Sequence, residues 1–222
     1  MTETVPLMAD ESKESDDPLL GPLYEDVWQC CEHLDSSDSQ FTRRVLIRSS
    51  FAFFEGVTNS LRMMATSWLT SGRSQLDVQS AQTLTLLQED VPRPDRTGKI
   101  SYETNRTPFL NYFAFVLRTS AEHFAIDAAG FFADNGWNNL QIALRARHRL
   151  THPKRAQDAN VTDDEITATR DAHRWVFNCY IKIAQGMAKR QVELAQQWVE
   201  LEAKASELEA RSRAVPLSSK QT

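Results

Sequence analysis

Arg145-Ala146-Arg147-His148-Arg149-Leu150-Thr151-His152-Pro153-Lys154-Arg155 sets five basic residues and two of the chain's five histidines into eleven positions without one acid. The stretch also ends an amphipathic helix that begins near Asn138. At about 3.6 residues per turn, Leu140, Ala143, Leu144, Ala146 and Leu150 form one apolar stripe. Arg147 falls in the middle of that stripe, whereas Arg145 and Arg149 fall on the polar side. A guanidinium on a core-facing line is costly unless it is paired or lies at a functional interface. Arg147 therefore needs an explanation, and the helical period around it sets the fold class.

Working outward, the same period recurs along the chain. A first helix is expected from about Pro18 to Leu34, with Leu20, Leu23, Val27, Cys30 or Cys31 and Leu34 on its apolar side. Ser36 to Ser39 break it and offer caps for a second helix over about Phe41 to Leu69. That helix carries Ile47, Phe51, Phe54, Leu61, Ala65 and Trp68 on one face, with Glu55 beside it. Glu55 reads either as a boundary carboxylate reaching water or as the partner of Arg147. A short helix is expected over Gln75 to Gln88. Asp90 to Pro108, with Pro92, Pro94, Gly98 and Pro108, reads as a long surface loop, either plainly solvated or part of a partner or RNA surface. Phe109 to about Ala129 is very apolar and reads as the central helix of the core. Its His123 fits a core or boundary position.

After Pro153 the polar segment to Val161 leads into Thr162-Asp163-Asp164-Glu165, a capping box. The helix it opens meets Gly186 and continues to about Arg211. Ile183, Met187, Leu194, Trp198, Leu201, Ala205 and Leu208 recur at steps of three and four, with Arg190 interrupting. This end reads as a helical arm, either a bare extension or half of a short coiled coil. The expected organisation is an acidic disordered tail (1–17), an all-α helical domain (18–185), a C-terminal helical arm (186–213) and a flexible tail (214–222).

The bulk properties agree. Gly (7) and Pro (8) are scarce among 222 residues, which favours helices over many-turned β architecture. The net charge of −5 resides entirely in residues 1–17, so the rest of the chain is formally neutral with one locally basic strip. Cys30, Cys31 and Cys179 form no C-x-x-C pair, which argues against a zinc site or a disulfide framework and for buried thiols. No apolar run approaches about 18 residues and no basic start precedes an apolar segment, so neither a membrane span nor a signal peptide is expected and the cytoplasm is the expected location. No Gly-rich phosphate loop and no G-x-S-x-G occur.

Arg147 and His152, in an R-x4-H spacing followed by Pro153-Lys154, resemble the signature of the HEPN family of small all-α domains. The likeness includes the helix Phe51 to Arg62, Asp134 to Trp137 ahead of the motif helix, and Asn160 to Ile166 at the start of the final helix. It covers roughly residues 18–185. It implies a HEPN-like helical bundle acting as a homodimer with two motif helices facing each other. The implied activity is metal-independent RNA cleavage or RNA binding, with a toxin-like or defence role and an antitoxin-like partner. Other members of the family are structural, which leaves a non-catalytic dimerisation or interaction module as the alternative.

The residue types suit cleavage without a metal. A base must take the 2′-OH proton, a cation must stabilise the phosphorane, and an acid must protonate the leaving 5′-oxygen. A histidine titrates in the right range and an arginine fork fits a phosphate. Arg147 and His152 are the expected catalytic pair, with His148, Glu55 and Lys154 in support. Five residues apart on an ideal helix they point in different directions. Pro153 ends the helix at His152, which frees the imidazole, and a second copy of the motif can complete the site. His148 departs from the small polar residue usual in the family. It reads as an orienting group, a second proton carrier or the mark of an inactive member. His148 and His152 lack a third ligand at metal spacing, so no metal and no cofactor are expected.

Overall fold

The computed structural model describes residues 20–71, 77–88 and 90–214, with side chains described as far as residue 207. The expected acidic tail (1–17) and the flexible end after Ala214 lie outside these residues. Within them the chain is all-α with a long C-terminal helix, and its only strands form one hairpin.

Helix α1 (Leu20–Ser36) lies along α2 (Gln40–Thr70), which starts at a reciprocal cap between Ser39 and Thr42. The cap satisfies two of the N–H groups that a helix start leaves free. The hub of the core is α2, which touches α1, α4 (Phe109–His123), α6 (Asn135–Thr151) and α7 (Asp163–Ala214). This corrects the assignment of the central role to the helix at Phe109. Both faces of α2 are apolar, and Phe51, Phe53, Phe54 and Leu61 are wholly buried. Helix α3 (Val78–Leu87) is capped by Asp77, whose carboxylate accepts from Ser80 N at 2.7 Å.

Two expectations are corrected. The helix expected through Ala129 ends at His123, and a separate α5 (Ala128–Phe132) follows. Neither Gly nor Pro marks the break. Asp127 competes for the chain as a cap, its carboxylate accepting from Ala129 N, while Ala125 turns left-handed at φ 56°. The expected loop at 90–108 contains a β-hairpin, β1 (Asp90–Pro94) and β2 (Ile100–Thr104). Asp95 makes the turn, its Oδ1 accepting from Thr97 N, Thr97 Oγ1 and Lys99 N, and Gly98 supplies the left-handed residue at φ 79°.

Helix α7 opens on the expected capping box: Thr162 N donates to Glu165 Oε2 and Glu165 N to Thr162 Oγ1. It runs antiparallel to α6, since Gly136 at the start of α6 meets Trp175 and Arg149 near its end meets Glu165. Farther along, Gly186 packs so closely on the Ile126 and Phe124 side chains that a Cβ would lie 2.7 Å from Ile126 Cδ1. Beyond it the helix continues unbroken to Ala214 and presents Val192, Trp198, Val199 and Leu201 to solvent. Among the described residues no helix is long and apolar enough to cross a membrane.

Candidate functional site

Two devices fix the motif helix before its basic end is reached. Asp134 Oδ1 accepts from Gly136 N at 3.0 Å and sets the first turn. Gly136 then lies against Trp175, where any Cβ would fall 2.0 Å from Trp175 Cγ, so α6 approaches α7 more closely than another residue permits. Trp175 is held in turn by its indole N–H donating to Phe131 O at 3.2 Å. From there Leu140, Ala143, Leu144, Ala146 and Leu150 bury the expected stripe.

Arg147, in the middle of that stripe, reaches across to α2. Its Nη2 donates to Glu55 Oε1 at 2.7 Å, and its Cζ lies 5.1 Å from the centroid of the Phe51 ring. The ion pair sought from the two stripes is therefore formed. Glu55 accepts one of the five N–H donors of a guanidinium. The Arg147 side chain remains 32% exposed and that of Glu55 50%. Ionic attraction and the ring face hold the fork in one orientation while part of it meets solvent.

Arg149 departs from the sequence reading, which left it on the polar side. It is half-buried, donates to both oxygens of Glu165 at 2.6 and 2.7 Å, and caps the carbonyls of Asp158 and Asn160. Glu165 thus caps α7 and anchors the end of α6. The available signal was the helix-capping acid placed one short loop after a basic helix end. The segment after Pro153 is tied down as well. Asp158 accepts from Lys154 N and Arg155 N, Arg44 donates to Ala159 O, and Gln40 exchanges two hydrogen bonds with the Val161 backbone.

Helix α6 ends where Pro153 requires. His152 has φ −127° and ψ 58°, outside helical geometry, and its N–H donates to His148 O at 3.1 Å. His148, His152 and Lys154 are all exposed. No hydrogen bond or ion pair joins their side chains to one another or to Arg147 among the described residues. The structure thus brings Arg147 to Glu55 and leaves His152 apart from both. Arg48 is a residue the sequence reading passed over. It stands two turns before Glu55 on the same line of α2, exposed, as are Arg145 and Arg155 on the motif segment. None of these three, nor Lys154, has an ion-pair partner among the described residues.

A hollow of about 590 Å³ lies elsewhere, between the start of α6 and α7. Asp134, Asn139, Asp171, Arg174 and Lys182 line it, and Arg174 is already paired with Asp171 at 2.7 Å. Arg147, His148, His152 and Lys154, at the motif end of α6, line neither this hollow nor those of about 550 and 260 Å³, and the last three are exposed. Among the described residues no group of three His, Cys, Asp or Glu side chains is placed to hold a metal ion. Burial pushes the Cys179 thiol up to about 12, well away from the thiolate form. The chain matches no protein-family model, no curated protein and no solved structure.

Proposed function

We propose that this protein is a HEPN-like homodimer that binds single-stranded RNA on the basic end of α6 and cleaves it without a metal. The observation that carries the reading is Arg147, an arginine fork fixed by Glu55 and Phe51 yet partly open to solvent. It is surrounded in sequence and register by unpaired cations. An open cationic face suits a polyanion better than an enclosed small molecule. In this reading the Arg147 donors not used by Glu55 hold the phosphate and stabilise the charge of the phosphorane. His152 of one protomer takes the proton from the 2′-oxygen as that oxygen attacks phosphorus. The 5′-oxygen leaves with a proton from the second protomer's motif, giving a 2′,3′-cyclic phosphate and a 5′-hydroxyl. His148, one turn before His152, orients it or carries a proton, and Lys154 adds phosphate contact.

A second reading has its own observation. The Arg147–Glu55 pair joins α6 to α2 without any ligand, as it would in a non-catalytic dimerisation or interaction module. Cleavage of end-labelled single-stranded RNA in EDTA separates the two. Loss of cleavage in both Arg147→Lys and His152→Ala, with unchanged thermal unfolding, supports the enzyme. Cleavage absent from the wild-type protein, or untouched by both changes, leaves the module.

A further inference from the structure

The hairpin is chemically different along its two edges. Asp95 N donates to Lys99 O at 2.8 Å, so the pair 95/99 faces inward. Alternation along an antiparallel ladder then makes Arg93↔Ser101 and Val91↔Glu103 the inward, hydrogen-bonded pairs. Asp90, Pro92 and Pro94 turn their backbone groups out along β1, and Ile100, Tyr102 and Thr104 do so along β2. Two of the three outward positions of β1 are prolines with no N–H, so that edge cannot donate a ladder. Every outward position of β2 keeps both donor and acceptor. One edge is closed and the other is open.

The side chains point the same way. Val91 and Ser101, on one face, are half-buried. The opposite face carries Pro92, Pro94, Ile100 and Tyr102, with Ile100 70% and Tyr102 69% exposed. Neither strand packs broadly on a helix, and a two-stranded hairpin is by itself marginal in water. Charge completes the pattern. Glu103, the acid within β2, is paired with Arg93 at 3.5 Å. Lys99 just before β2 and Arg106 just after it have no ion-pair partner among the described residues. A hollow of about 260 Å³ lined by Asp90, Thr104, Asn105 and Tyr112 continues the edge at the hairpin's root.

We infer that the outer edge of β2 is a docking edge for an extended peptide segment of a partner protein, apolar at two alternate positions and acidic at both ends. The segment adds as a third strand. Its backbone bonds to Ile100, Tyr102 and Thr104, its apolar residues extend the Ile100–Tyr102 face, and its terminal acids lie beyond the strand ends in the field of Lys99 and Arg106.

The test is a titration of ¹⁵N-labelled full-length protein with an acetylated Asp-Thr-Val-Thr-Ile-Thr-Asp amide. Binding with a Kd below about 1 mM, shifts centred on the Ile100, Tyr102 and Thr104 amides, and slowed exchange there are expected. Tyr102→Pro removes one outward N–H at no cost in hairpin bonds, as Pro92 and Pro94 already do, and should weaken binding at least ~tenfold. A Lys99→Glu/Arg106→Glu variant should lose roughly fivefold toward the acidic peptide and gain affinity for a Lys-ended version. No binding at ~1 mM, or binding indifferent to Tyr102→Pro, overturns the inference. Self-association abolished by Tyr102→Pro would make a second copy the occupant and overturn it too. Exchange protection of these amides in the free protein that vanishes on removing residues 1–17 would do the same in favour of this chain's own segment.

Discussion

At the scale of single residues, two charged or titratable side chains sit on apolar lines and are handled in opposite ways. Arg147 is paired and partly wet, so the pair is worth little as a stabiliser: a double-mutant cycle with Arg147→Ala and Glu55→Ala should give a coupling of about 0.5–1 kcal/mol in urea unfolding. A coupling several times larger would mean the arginine is chiefly structural. His173 is the opposite case. It lies among Tyr24 and Phe53, ring centroids 5.5 and 4.7 Å away, and its Nε2 is buried with no partner. Burial, with Arg174 beside it, pushes its pKa down from 6.5 to about 4. The unfolded chain therefore takes up the proton first as pH falls. Stability is complete above about pH 6.5 and declines toward pH 4, by roughly 2–3 kcal/mol from this residue. Chemical denaturation from pH 7 to 4 should show that slope in the wild type and a shallower one in His173→Leu.

At the scale of elements, the helices were legible wherever burial follows one period and a cap marks the start. The capping box at Thr162 and Glu165 and the Ser39 cap are of this kind, whereas the Glu55–Arg147 pairing was only one of two readings of Glu55, and the pair forms with that carboxylate still half exposed. The break after His123 was not legible. No breaker residue stands there, and the left-handed Ala125 pays off only through the contacts of Phe124 and Ile126 with a helix sixty residues later in the chain. The hairpin was hidden for a different reason: its prolines, usual signs of a loop, occupy outward positions of an edge strand. Arg149 was misplaced because its partner lies beyond a loop, out of reach of helical periodicity. The tightest element contact gives a prediction of its own. Gly136→Ala, a favourable change in an isolated helix, should cost about 3 kcal/mol or more by thermal or urea unfolding, since the new methyl would overlap Trp175. Shaving the opposing side chain in a Gly136→Ala/Trp175→Leu protein should recover part of that loss.

At the scale of the whole molecule, the composite-site reading requires two chains. Sedimentation at tens of micromolar should give twice the monomer mass, and Arg147→Glu together with His152→Glu should shift it toward the monomer. A wild-type monomer at that concentration would remove the composite site while leaving the basic face intact. The arm offers a separate assembly surface, because Trp198 is 66% exposed in a stretch of α7 whose side chains are all exposed from residue 195 to residue 207. A protein ending at Lys189, which keeps Gly186 and Met187 on the core, should keep the unfolding temperature of the bundle within a few degrees. Any dimer it loses would then belong to the arm and not to the motif face. The two are far apart: from Glu165 to Gly186 the axis advances about 30 Å.

The continuity of α7 has a mechanical consequence. One rigid rod spans the bundle and then projects about 40 Å past Gly186, where Ile126 and Phe124 clamp it like a fulcrum. A tilt of about 5° at that pivot displaces the tip by roughly 3–4 Å while the base moves hardly at all. Whatever grips the outer turns therefore has leverage over the packing at Gly186, and the distance between spin labels at the tip and on α1 would record each degree of swing.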